Sequence, residues 1–304
     1  LADFDNALIY YNKYLSMYPN SPSAHETLAK LYVKLHDYKK ADEHFLNAEI
    51  LGSKGISFKL RYLRNTGYLN KWNLDSFFIE WDKLLSNASS EDSSRIYLFM
   101  SFELEKHGKL NQSSEYLIKT KNLIHRTEGF FGAFFSTNFF LIKNYALLGE
   151  IDKANNIFEE GKLLPVPVDK LYYSLERDYY YYSNQLDKLK EILELSVDAE
   201  LSAGVKMFAF SHSLCRGKIA YEEKKYSEAK EHFEKSIEQK ITSINIESYI
   251  YLAKSHMFLD NNSDAQKVFK RIYELAGEDN ALLNYEYSLF LENIGDIKNS
   301  RYYI

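Results

Sequence analysis

Small or apolar anchor residues return along the whole chain at intervals longer than one helix and too regular for chance. Ala7, Ala41, Phe77, Ser113, Ala154, Leu189, Ala229, Ala265 and Ser300 recur every 34 to 41 residues. A repeat of this length is one supersecondary unit that cannot bury its apolar face alone, so the chain must fold by stacking units side by side. The clearest copy occupies 21–55. Its two halves, 22–36 and 37–51, carry Leu28, Leu31, Tyr32 and Leu35, then Tyr38, Ala41, Phe45 and Ala48, at helical spacing. Each half therefore presents one apolar stripe, and the unit reads as a helix hairpin.

This hairpin resembles the tetratricopeptide repeat. His25 stands at the Trp site of that pattern, Leu28-Ala29 replaces Leu-Gly, Tyr32, Ala41, Phe45 and Ala48 match, and Ser53 takes the closing Pro site. The resemblance implies an all-α fold, a right-handed superhelical solenoid of antiparallel helix hairpins whose first helices line a concave wall. It also implies a non-enzymatic scaffold. Residues 1–304 are expected to form a single array with the nine anchors marking its units. Residues 3–20 match only the second half of a unit, with Ala7, Tyr11, Tyr14 and Pro19 at the sites of Ala41, Phe45, Ala48 and Ser53. The array is thus expected to begin and end mid-unit, as a piece of a longer protein, leaving an apolar surface at 7–14 open to self-association.

Other copies depart from the pattern. In 56–86 the second-helix sites hold Phe77, Trp81 and Leu84, but Asn65, Thr66 and Gly67 break the first stripe. Residues 86–94, rich in Ser, Asn and Asp, read as a loop. Longer connections are expected at 126–132 and 196–204, and Pro165 and Pro167 should end the helix before them. In 205–239, Gly217, Tyr226, Ala229 and Phe233 restore a close match.

A net charge of -5 excludes a general nucleic-acid binder, which needs a positive face to displace counterions. With one cysteine, Cys215, neither a disulfide framework nor a multi-cysteine metal site is expected. The most apolar stretch, 129–142, is interrupted by Gly132, Ser136, Thr137 and Asn138 and reads as a buried helix, so no membrane span is expected. The expected compartment is the cytoplasm, with the periplasm as the alternative. The 26 Tyr and 20 Phe read chiefly as filling between helices.

No Gly-rich phosphate loop, nucleophile elbow or His-Glu-x-x-His is present. His212 and Cys215, three apart on one helix, lack an orienting group and read as packed residues. Asn87, Asn111 and Asn261 open Asn-x-Ser triplets. No catalytic residue, metal or cofactor is expected. Binding is carried instead by register: the groove-facing ninth position of the family's first helix falls on Lys30, Phe102, Lys143, Asp178, Lys218, Lys254 and Leu289. Four lysines on one wall form a stripe suited to an acidic protein segment or peptide, with Tyr181, Tyr251 and Tyr285 as flat contacts. The Asn that some family members use to clamp a terminal carboxylate is missing from that position. Two other tasks remain open: a peptide-responsive sensor module of a transcriptional or signalling regulator, and an exopolysaccharide-export scaffold with 172–182 as a sugar-stacking surface.

Overall fold

In a computed structural model, residues 4–124, 131–162, 172–202, 209–239, 245–276 and 280–303 are described. Among them every regular element is an α-helix: α1 (Phe4–Met17), α2 (Pro22–Lys34), α3 (Tyr38–Ile50), α4 (Ile56–Leu69), α5 (Leu74–Leu85), α6 (Ser90–Lys106), α7 (Leu110–Ile124), α8 (Phe131–Leu147) and α9 (Ile151–Lys162). There follow α10 (Tyr172–Tyr182), α11 (Leu186–Ser202), α12 (Ala209–Glu222), α13 (Tyr226–Gln239), α14 (Ile246–Phe258), α15 (Asn262–Ala276), α16 (Ala281–Asn293) and the short α17 (Ile297–Ser300). The chain divides into two compact units, one of Ala2–Leu104 with Tyr116–Glu128, the other of Glu105–Glu115 with Gly129–Ile304. Each is a solenoid stack of helix hairpins.

Each first helix is turned into its second by the same device. His36, Lys71, Gly108, Gly149, Asn184, Lys224, Asp260 and Gly295 all adopt positive φ, between 53° and 82°. The next residue's N–H then reaches back to a carbonyl of the helix just ended, as in Asp37 to Tyr32, Lys225 to Ala220 and Asp296 to Leu291, at 2.8 to 2.9 Å. This left-handed stop satisfies carbonyls that the helix end leaves open. Side-chain caps then start the following helices: Asp37 accepts from the Lys40 N–H, Asn73 from Ser76 and Asp296 from Asn299.

Eight of the nine anchors lie where the stacking argument requires, and the ninth, Ala7 on α1, is only half-buried. Ala41, Ser113, Ala154, Leu189, Ala229, Ala265 and Ser300 are fully buried and Phe77 nearly so. In the first unit Ala41, Phe45, Ala48 and Phe58 form one cluster, and Leu60, Phe77, Trp81, Ile96 and Met100 another. In the second, Leu189, Leu193, Cys215, Ala229 and Phe233 pack together, as do Ala253, Ala265, Phe269, Leu283 and Phe290. Small residues admit close helix approach and the rings fill the space that remains.

Three local expectations change. Residues 65–67 do not break the inward face of α4, which runs through them with Asn65 and Gly67 both buried. Gly67 is there because a Cβ would meet the Phe77 ring at 2.2 Å, and buried Asn65 donates to the Tyr38 carbonyl at 3.0 Å. Residues 86–94 are not all loop: α6 begins at Ser90, with the Ser89 hydroxyl accepting from the Asp92 N–H and two acids in the first turn. In 196–204, α11 continues to Ser202, since buried Ser196 returns its hydroxyl to the Leu193 carbonyl at 2.7 Å and stays compatible with helix. Pro165 and Pro167, and most of 126–132, lie outside the described residues.

Candidate functional site

The ninth-position residues fall in both units. In the first, Lys30 lies half exposed on α2, 3.8 Å from the Glu26 carboxylate one turn earlier. Burial and nearby Arg61 hold its pKa below the ordinary lysine value. Phe102 is half-buried on α6. Beside it, almost fully buried Glu103 accepts from the Tyr68 hydroxyl at 3.0 Å and pairs with Arg64 at 3.4 Å.

The second unit holds the denser set. Lys143 on α8 donates to Glu105 at 2.8 Å and stands 3.7 Å from Glu247, which projects from the first turn of α14. Burial pushes the Lys143 pKa down, but the two carboxylates outweigh it and leave the group above its ordinary value. Tyr182 and Tyr181 on α10 also aim their hydroxyls at Glu247, at 3.2 and 3.4 Å. Burial first, and Glu247 second, raise both phenol pKa values well above normal. Lys218 on α12 is buried, 7% exposed, and donates to the Tyr181 carbonyl at 2.8 Å while its ammonium stands 4.4 Å from the centre of that ring. Burial lowers its pKa. Side chains of α8 and α10 thus meet around the one carboxylate that α14 carries, and Lys218 of α12 joins the group through Tyr181.

The remaining candidates surround this centre less closely. Asp178 is paired with buried Arg177 at 3.0 Å. Lys254 pairs with Glu286 at 2.7 Å. The Tyr251 ring stacks on Phe233 at 5.3 Å and 15° and serves the core as well as the wall. Tyr285 is 58% exposed on α16, where Leu289 is exposed as well. The curvature of this unit also brings the α6–α7 turn against α16, since a Cβ on Gly108 would stand 3.1 Å from that of Ala281.

The helical register placed the lysines but missed Glu247, Glu105 and Glu286, their partners. The signal for Glu247 is faint: an acid in the first turn of a helix is ordinary capping chemistry. Glu105 lies 38 residues from Lys143, and Glu247 lies 104 from it, so no local pattern joins them. The 172–182 segment is mostly inward. Tyr179 is buried against Phe158, stacked at 4.8 Å and 8°, and Tyr181 is buried beneath Lys218, so neither offers a flat face to a sugar. Half-exposed Tyr180 donates to Glu176, and burial with that bond pushes its pKa up to about 12. Cys215 is buried, which pushes its thiol up to about 12, so it stays protonated beside His212 at neutral pH. Among the described residues no group of three or more His, Cys, Asp or Glu is placed to hold a metal ion, and no helix is long and apolar enough to cross a membrane.

No protein-family model matches the sequence, and no curated protein is similar to it. Solved structures do share the fold, and they define its class as tetratricopeptide-repeat-like. The yeast Tom70 structure is similar at a TM-score of 0.54 and 14% identity, over 98% of this chain and 58% of that one. A tetratricopeptide repeat protein from Parabacteroides merdae is similar at 0.54 and 13%, over 89% of this chain and 98% of that one. NprR, solved in complex with its cognate peptide NprX, is similar at 0.53 and 14%, over 92% and 86%. The chain spans little more than half the length of Tom70 and of the Cut9 chain in the Cut9–Hcn1 assembly, 58% and 55%.

Proposed function

We propose that the protein is a non-enzymatic interaction scaffold that holds a peptide or protein segment against its first-helix wall, with basic and aromatic side chains orienting a carboxylate-bearing partner. The observation that carries this reading is the meeting of Lys143, Tyr181, Tyr182, Lys218 and Glu247 from four successive first helices. Side chains from successive first helices become neighbours in space, giving a group of donors and rings of the kind that recognises an acidic segment. The likeness to NprR, a protein solved with a bound peptide, supports the same reading at the level of fold.

The test is a peptide array read against the wild type and a Lys143→Met, Lys218→Met, Lys254→Met variant. Met keeps the apolar stem and removes the charge, whereas Glu would set a new acid beside Glu105, Glu247 and Glu286. Wild-type protein is expected to select acid-bearing peptides, and the variant to bind them at least about tenfold more weakly while keeping its helical circular dichroism. Equal binding of the selected peptides by the variant would remove the lysines from the site. A sensor role is the second reading, supported by the same likeness to NprR; it requires that such a peptide also change the protein's dimensions, which small-angle scattering would measure.

A further inference from the structure

We propose that the place of the Glu247 carboxylate is itself a binding site for one carboxylate of a partner segment, and that the chain's own side chain holds it shut until the partner replaces it. This rests on the scaffold reading above and specifies its ligand chemistry.

The first ground is the geometry of the donors. Lys143, Tyr181 and Tyr182 converge on Glu247 from two other helices, yet none of their distances is short: 3.7, 3.4 and 3.2 Å. Charge-assisted bonds reach their best strength near 2.7 to 2.9 Å. The neighbouring pairs attain it, with Lys143 to Glu105 at 2.8 Å and Lys254 to Glu286 at 2.7 Å. Glu247 thus sits where the donors point but is kept back by its tether to α14. A carboxylate on a mobile segment has no such tether and can close those gaps.

The second ground is charge. Lys143, Lys218 and Arg177 are the cations around this cluster, and Glu105, Glu247 and Asp178 its anions, with Arg177 and Asp178 paired at 3.0 Å. A partner's carboxylate simply added would leave an unmatched negative charge in a largely buried setting, which is costly. Exchange for Glu247 keeps the balance. The Glu247 side chain is 17% exposed, so it has a way out to water and the site has a way in. The third ground limits the partner. Within this unit Lys254 is already faced by Glu286 at 2.7 Å, so the surface around Glu247 offers little to a run of acids. The ligand is a segment with a single carboxylate, not a polyacidic tail.

The test replaces Glu247→Ala and supplies a free carboxylate. Melting is followed by circular dichroism in sodium acetate and in sodium chloride, each at about 0.1 M and neutral pH, because a ligand that binds only the native state raises its stability. Glu247→Ala is expected to melt about 2 °C or more higher in acetate than in chloride. Wild type and Glu247→Gln, whose site is filled, are expected to show no such gain. If Glu247→Ala is unfolded in chloride, acetate is expected to restore its helical signal, and Glu247→Ser is read in the same way. An acetate effect no larger in the Ala and Ser variants than in wild type overturns the proposal. A blocked heptapeptide bearing one Glu among Ala and Phe residues is then titrated, with binding to Glu247→Ala expected at least about tenfold tighter than to wild type. Acetate rescue without peptide binding leaves the carboxylate site standing and counts against the scaffold reading. A peptide that binds both proteins equally, with no acetate effect, keeps the scaffold reading and removes Glu247 from it.

Discussion

Replacing Gly217 with alanine tests the stacking argument at one of its tight points. Glycine inside a helix is ordinarily a weakness, and alanine there is worth up to about 1 kcal/mol. Gly217 lies in the middle of α12, and a Cβ on it would stand 2.5, 2.7 and 2.9 Å from three atoms of the Phe233 ring. That ring is fully buried and stacked on Tyr251 at 5.3 Å, so it cannot swing aside without losing the stack. Overpacking of this kind costs about 1 to 3 kcal/mol, and against a helix gain of up to about 1 it leaves a net loss of up to about 2. Gly161→Ala is the control. There the one close atom is a terminal methyl of Leu175, at 2.6 Å, and the next is at 3.6 Å, so a small side-chain movement relieves it. Gly161→Ala should change stability by no more than about 0.5 kcal/mol or raise it.

Urea unfolding by circular dichroism, with hydrogen exchange of the α12 and α13 amides to localise the effect, measures both variants. Phe233→Leu completes a cycle: with the flat ring gone, Gly217→Ala should cost less, giving a coupling of about 1 kcal/mol or more. A Gly217→Ala protein as stable as wild type, with no coupling to position 233, would refute the claim that glycine is required for the ring to enter.

Lys71 holds a left-handed turn at φ 53° with its side chain exposed, so Lys71→Gly should stabilise the first unit by about 0.5 to 1 kcal/mol, read as a higher urea midpoint. Burial holds the pKa values of His44, His232 and His256 below their ordinary 6.5, so the unfolded chain takes up protons first as the pH falls. Stability from these groups is complete above pH 6.5 and is lost as the pH drops from there toward their folded values; a melting temperature that rises between neutral and mildly acid pH would contradict this. Lys254→Met should destabilise by about 1 to 3 kcal/mol because it leaves the mostly buried Glu286 carboxylate unmatched, and Glu286→Gln added to it should restore part of the loss in the same melts.

Most of the fold is legible in the residues because the repeat is a local object. Ala41, Phe45 and Ala48 declare a helix face by spacing alone, and the same spacing returns around Ala229 and Ala265. What escaped were residues whose reason lies on a neighbouring element. Gly67 looks like a helix breaker until the Phe77 ring is placed against it, and Asn65 looks like a polar interruption until the Tyr38 carbonyl of the preceding hairpin is seen beside it. The turns were half legible for a related reason. Glycine marks the left-handed stop at Gly108, Gly149 and Gly295, but His36, Lys71, Asn184, Lys224 and Asp260 take the same backbone with no such mark.

The wall is harder to read than the stack, and the lysines show why. Register assigns Lys30, Lys143, Lys218 and Lys254 to one face but carries no information on which acids curvature will bring to them. Stacking brings Glu105, one repeat away at 38 residues, and Glu247, 104 residues away, to Lys143, and helical spacing within a segment links neither partner to it. In neither unit do these lysines form a bare positive stripe: they stand in matched pairs, with Lys218 of the second unit as the exception, bonded to a carbonyl and lying over a ring. On the scaffold reading proposed above, recognition works by exchange, because an incoming carboxylate gains only the difference between its own bonds and those it breaks. On that reading the surface selects for geometry at a loosely held position rather than for total charge, and Glu247 occupies one on which an ammonium and two phenols converge.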